Sequence, residues 1–243
     1  MAKGPVQRTS RDAADHSQKA YNGIRRMLYN KELVPGQKIA YRDLAEQLQM
    51  SPTPIIQALK WLEIQGLVRH APNRGYYIEP FSLKELEEIY ELRELLELAL
   101  LPAAIEQLDE KGSQQLRQAL TAHRSAEREF YLKERLFKNM EFHLTLAALA
   151  KKETHLNILR TIFDLLFLKY GGNYLPIASL TSVDQEHQEI FDYVMARNLH
   201  GAQVILAHHI SNVKKQVLQS LQRMLEEKED LQGMLAEFSH AFK

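Results

Sequence analysis

Cysteine is absent from all 243 residues. That excludes disulfides, thiolate metal sites and cysteine nucleophiles. Long apolar runs are absent too, and no stretch approaches the roughly 20 residues needed to cross a bilayer. The opening MAKGPVQRTSRDAADHSQKA is polar and lacks the apolar middle of a secretory signal. A cytoplasmic protein with no membrane partner is expected. Net charge is missing as well, because 31 Lys/Arg balance 31 Asp/Glu. The balance is uneven along the chain, however. Residues 1–80 hold 12 Lys/Arg against 7 Asp/Glu, which leaves 19 against 24 for the rest. A basic module of +5 is thus joined to an acidic one of −5, so a polyanionic partner is expected for the first alone.

The remaining composition, 45% hydrophobic and 26% charged, is that of a globular chain with a packed core. The pattern predicts a mainly α protein in four segments: a disordered arm over 1–15, a DNA-binding domain over 16–80, a helical domain over 81–228 and a charged tail over 229–243. In the second segment a helix is expected from about His16 to Asn30, with Ala20, Ile24, Met27 and Leu28 on one face. Val34-Pro35-Gly36-Gln37 reads as a turn. A short helix follows at about Arg42–Gln49. Ser51-Pro52-Thr53-Pro54 reads as the start of a third, in which a hydroxyl caps free amides and Pro lacks one. That helix stops at Gly66. Leu67–His70 and Gly75–Ile78 then read as two strands around the turn Ala71–Arg74. Three helices and a β-hairpin form a winged helix-turn-helix, whose third helix can lie in a DNA major groove. Beyond Pro80 six helices are expected, at about Leu83–Gln107, Ser113–Tyr131, Lys133–Ala150, Thr154–Lys169, Ser182–Arg197 and Leu199–Glu227, as an antiparallel bundle with one Gly/Pro-rich break at Gly171–Pro176.

On the third helix Ala58, Leu59 and Leu62 make an inward face, while Thr53, Ile56, Gln57 and Lys60 share the outward one. Gln suits adenine, Lys suits guanine or phosphate, and Ile or the Thr methyl suits a thymine methyl. The expected DNA-contacting set is Arg42, Ser51, Thr53, Ile56, Gln57 and Lys60, with Asn73, Arg74 and Gly75 at the wing tip. In the second half, Asn139 and His143 stand four apart on one helix, His187 on another, and His208 and His209 on a third. Three imidazoles and one side-chain oxygen can close around a divalent ion.

The segments Leu33–Ile39, Leu44–Leu59 and Leu62–Val68 resemble the GntR family of bacterial regulators over about 60 residues. The family usually has arginine where this chain has Pro52 and Ile56, and glutamate at Gln57. Its usual base contacts therefore do not carry over, whereas Arg42, Thr53 and the wing match positions that usually contact DNA. Residues 83–226 resemble the FadR-type (FCD) ligand-binding domain through Asn139-Met140-Glu141-Phe142-His143, Glu186-His187, and Ala202 through His209-Ile210. The resemblance implies a divalent metal, zinc or nickel, on Asn139, His143, His187 and His209, with His208 pointing about 100° away on its helix. Tyr90-Glu91-Leu92-Arg93 resembles the family's first sensing-domain helix and marks Arg93 for the effector.

The expected function is a homodimeric, ligand-responsive transcriptional regulator of double-stranded operator DNA that senses a small carboxylate and is not an enzyme. Two readings compete with it, a metal-dependent hydrolase using a three-histidine site and a helical adaptor protein.

Overall fold

The computed structural model describes residues 10–125, 132–171 and 180–241. The chain forms two compact units, Met1–Phe81 and Ser82–Lys243. Among the described residues, no helix is long and apolar enough to cross a membrane.

The first unit begins with α1 (Ser10–Tyr29), then β1 (Lys38–Ile39), α2 (Tyr41–Gln47), α3 (Pro52–Ile64), β2 (Val68–Ala71) and β3 (Gly75–Ile78). The expected face of α1 is the buried one, with Ala20 and Ile24 fully enclosed. They pack with Ile55, Ala58, Leu59 and Leu62 of α3 into an apolar core. Three details differ from the expected outline. Helix α1 starts at Ser10, inside the segment expected to be disordered. Ser51 is the N-cap of α3 by backbone conformation, yet its side chain makes no cap bond and Pro52 at the first helical position does the starting. The sheet has a third strand, because β1 pairs with β3 through Lys38↔Tyr77 and Ile39↔Tyr76 to give the order β1-β3-β2. Two residues carry no readable alternation, so nothing in the sequence announced β1. Gly66 ends α3 at φ +74°, a left-handed conformation that suits glycine.

The second unit contains α4 (Leu83–Glu106), α5 (Glu110–Ser125), α6 (Leu132–Ala148), α7 (Glu153–Leu165), a π-helical turn (Leu166–Tyr170), α8 (Leu180–Met195) and α9 (Leu199–Ala241). Ser82 caps α4 by accepting from the Glu85 amide at 3.2 Å. α4 packs on α6, α7 and α9; α8 lies against α9 and α5; and α5 lies against α6. The bundle so formed brings α4, α6, α8 and α9 to one buried centre. α9 continues to Ala241, where a charged tail was expected from 229. The helix expected to run straight to Lys169 instead widens into the π turn, which ends at Gly171, where a β-carbon would overlap the Phe167 carbonyl. Residues 1–9, 126–131, 172–179 and 242–243, which include the Gly172–Pro176 part of the expected break, lie outside the described residues.

Candidate metal centre and nucleic-acid interface

In the first unit, Thr53, Gln57 and Lys60 are exposed along α3, with Ile56 half-buried beside them. Pro54 and Ile55 turn inward and seat the helix on the core. Ser51 is exposed at the start of α3, and Arg42 is exposed in the first turn of α2 with its guanidinium 6.0 Å from the Tyr41 ring. At the wing tip Asn73 (φ +60°) and Gly75 (φ +95°) reverse the chain, leaving Asn73 and Arg74 exposed and Gly75 half-buried. No β-branched residue holds such a conformation cheaply. The fold therefore puts the expected polar set on solvent, with Ile56 and Gly75 the less accessible members.

In the second unit, His143 of α6, His187 of α8 and His209 of α9 are wholly buried. A donor atom from each lies within 4.8 Å of the other two. Each imidazole is fixed by its far nitrogen. His143 Nδ1 donates to Glu97 Oε2 at 2.7 Å, His187 Nδ1 to the Val183 carbonyl at 2.7 Å, and His209 Nδ1 to Glu186 Oε2 at 2.7 Å. Those partners only accept, so the proton sits on Nδ1 and the Nε2 lone pair faces inward in all three rings. His143 Nε2 and His187 Nε2 stand 3.2 Å apart, and His209 Nε2 is buried with no hydrogen-bond partner. Converging lone pairs repel unless a proton or a cation lies between them.

Protons are disfavoured there. Burial pushes His143 down to about 3 and His187 well below its ordinary value, the latter helped by its neighbouring imidazoles. Burial also lowers His209 despite its bond to Glu186. At neutral pH the three rings are uncharged, as ligands for a divalent ion must be. A 3.2 Å spacing suits two nitrogens on one ion, since bonds of about 2.1 Å put neighbouring ligands roughly 3.0–3.4 Å apart. The donor set fits a metal.

The surroundings include Arg93, which the resemblance marked for the effector, and Glu97, His123, Asp184 and Arg135, which the sequence did not single out. On α4, Arg93 Nε donates to Glu97 Oε1 at 2.6 Å, and its Nη2 donates to His143 Nε2 at 2.8 Å. Burial would raise the Glu97 carboxyl, but His143 and the Arg93 guanidinium outweigh it and hold it down at about 2. His123 stacks on His187 with centroids 4.4 Å apart, and Asp184 stands 3.5 Å from its Nδ1. Arg135 holds Asp184 in turn, at 2.5 Å. An i,i+4 Arg–Glu pair is the one signal that could have flagged Glu97, and such pairs usually mark solvated helix faces.

Asn139, one turn before His143, is half-buried and lines a cavity of about 60 Å³ that Tyr90 and Arg93 also line. His208 is exposed and bonded to Asn212, as the helical geometry required. His155 and His200 are exposed, away from the cluster.

Residues 88–212 match the FCD domain, and residues 16–78 match the family described as bacterial regulatory proteins, gntR family. The HTH-type transcriptional regulator LutR of Bacillus subtilis (strain 168) is 27% identical over 209 residues, covering 77% of this chain and 94% of LutR. The HTH-type transcriptional regulator YdhC of the same organism is 28% identical over 190 residues, covering 77% of this chain and 85% of YdhC. Among solved structures, Escherichia coli McbR/YncC superposes with a TM-score of 0.72 at 22% identity, covering 85% of this chain and 98% of that one, a likeness of fold. The chain therefore belongs to the gntR family of bacterial regulatory proteins and is a transcriptional regulator whose DNA-binding unit is joined to an FCD domain.

Proposed function

We propose that this regulator binds operator DNA as a homodimer and responds to a small carboxylate that reaches a divalent metal, zinc or nickel, in its helical unit. His143, His187 and His209 supply the imidazoles and Asn139 a fourth, oxygen ligand. One observation carries the reading: three neutral imidazoles, each tied at Nδ1, aim their Nε2 lone pairs at a common buried point. When bound, such an ion supplies a Lewis-acid anchor for a carboxylate oxygen. Arg93 supports the anionic partner, because its guanidinium donates to the same His143 nitrogen that a metal would use. Two cations at one lone pair repel, and an anion between them removes the conflict. Against the hydrolase reading, the Glu97 and Glu186 carboxylates each already accept an Nδ1–H, so neither is free to act as its base. Leu92 and Leu95, three residues apart on α4 and at least half exposed, give a second copy apolar surface to cover.

The His187→Ala protein should lose its metal by elemental analysis, while His155→Ala and His200→Ala keep it. Equal metal content in all three refutes the site. On the DNA side, Arg42→Ala and Arg74→Ala should weaken binding to every duplex and shallow the salt slope by roughly one contact each. Gln57→Ala should instead relax preference at one base pair, by about 1–3 kcal/mol. Binding that is independent of salt and survives both arginine changes would sink the assignment of this surface.

A further inference from the structure

We infer that the effector is a monocarboxylate with a short, unsubstituted hydrocarbon body, and not a dicarboxylate or a hydroxylated acid. The inference rests on the carboxylate site proposed above and narrows its ligand. Two independent observations carry it.

The first is the charge enclosed with the imidazoles. Glu97 and Glu186 bring two negative charges to the Nδ1 side of the cluster, and Arg93 brings one positive charge. The half-buried carboxylate of Asp184 nearby is matched by Arg135. With a divalent ion the enclosed sum is +1, and one monoanion brings it to zero. A dianion would leave a buried excess of −1, which is costly without a partner.

The second is the wall of the cavity into which Arg93 and Asn139 face. Beyond these two, its polar groups are already engaged. Tyr170 Oη donates to the Glu85 carboxylate and accepts from the Ser82 amide at 3.4 Å, and Tyr90 is hydrogen-bonded to Arg93. The rest is apolar, chiefly Met140, Phe163, Phe167, Val213 and Val217. A hydroxyl on the ligand body would meet hydrocarbon and lose its water without replacement, a penalty of about 1–3 kcal/mol. The space, about 60 Å³, is well below the roughly 150 Å³ that encloses a benzene ring, so the body is short and not aromatic.

Titration calorimetry on the zinc-loaded full chain with butyrate, 4-hydroxybutyrate and succinate tests this at constant chain length. Butyrate should bind at least 10-fold tighter than either of the others. Val217→Thr, which adds a hydroxyl at nearly constant volume, should lower the butyrate to 4-hydroxybutyrate ratio several-fold. Val213→Thr serves the same purpose if the first variant folds poorly. Equal or tighter binding of 4-hydroxybutyrate or succinate overturns the inference alone. Binding of none of the three overturns it together with the carboxylate site.

Discussion

Arg93→Met should unfold in urea with about 3–5 kcal/mol less stability than the parent chain, the usual cost of breaking a buried ion pair from one side. Arg93 and Glu97 are 1% and 3% exposed, so solvent cannot replace the missing partner. The Glu97 carboxylate would keep only the His143 Nδ1–H, and its burial would then push the carboxyl upward. Removing both charges is a different experiment. Arg93→Met with Glu97→Leu leaves no orphaned ion and should recover much of the loss, although His143 then loses its Nδ1 acceptor. Urea midpoints followed by far-UV ellipticity measure both. A single-variant loss below about 1 kcal/mol would mean that water reaches the pair and that the centre is less enclosed than its packing indicates.

Chelator-treated protein should lose stability steeply between pH 6.5 and 4.5. Burial holds His123 at about 4 and His143 at about 3 in the folded state, against 6.5 unfolded. Their contribution is therefore complete above 6.5 and is lost as pH falls below it, because the unfolded chain takes up protons first. Each imidazole costs about 1.4 kcal/mol per pH unit, so these two alone remove about 5 kcal/mol over the window. His187 and His209 shift in the same direction and add to it. Glu97 works on a separate range. Its folded value of about 2 means its stabilisation is full above 4.5 and is lost progressively as pH falls from there toward 2. Urea midpoints measured at a series of pH values between 7 and 4.5 should follow the imidazole slope. A flat profile would show that the rings are hydrated and not buried neutral.

Much of this was legible in the chain. Thr53, Gln57 and Lys60 are outward on α3 because a helix repeats every 3.6 residues and the apolar set Ala58, Leu59, Leu62 fixes which side is inward. Gly66 and the wing turn were readable because few residues tolerate a positive φ. The three imidazoles came from a family resemblance, since spacing along the chain says nothing about which helices meet. Glu97 was hidden by its own pattern. Four residues from Arg93, it looks like a surface pair, and only the packing of α4 against α6 buries it. The π turn was hidden too, because hydrogen-bond register within a helix follows tertiary demand more than residue type. β1 is a strand only because β3 lies beside it.

The contacts of Tyr170 stiffen the start of the helical unit. Its hydroxyl lies 3.1 Å from the Ser82 carbonyl and bonds the Glu85 carboxylate, so the first turn of α4 and the wall of the cavity lined by Arg93 and Asn139 form one mechanical piece. On the other side, the Glu79 amide is bonded to the Leu67 carbonyl at 3.1 Å. Between these anchors Pro80 has its φ locked by its ring, and it restricts the ψ of Glu79 ahead of it. A displacement of the cavity wall therefore reaches the first turn of α4 directly, with no flexible segment between them to dilute it.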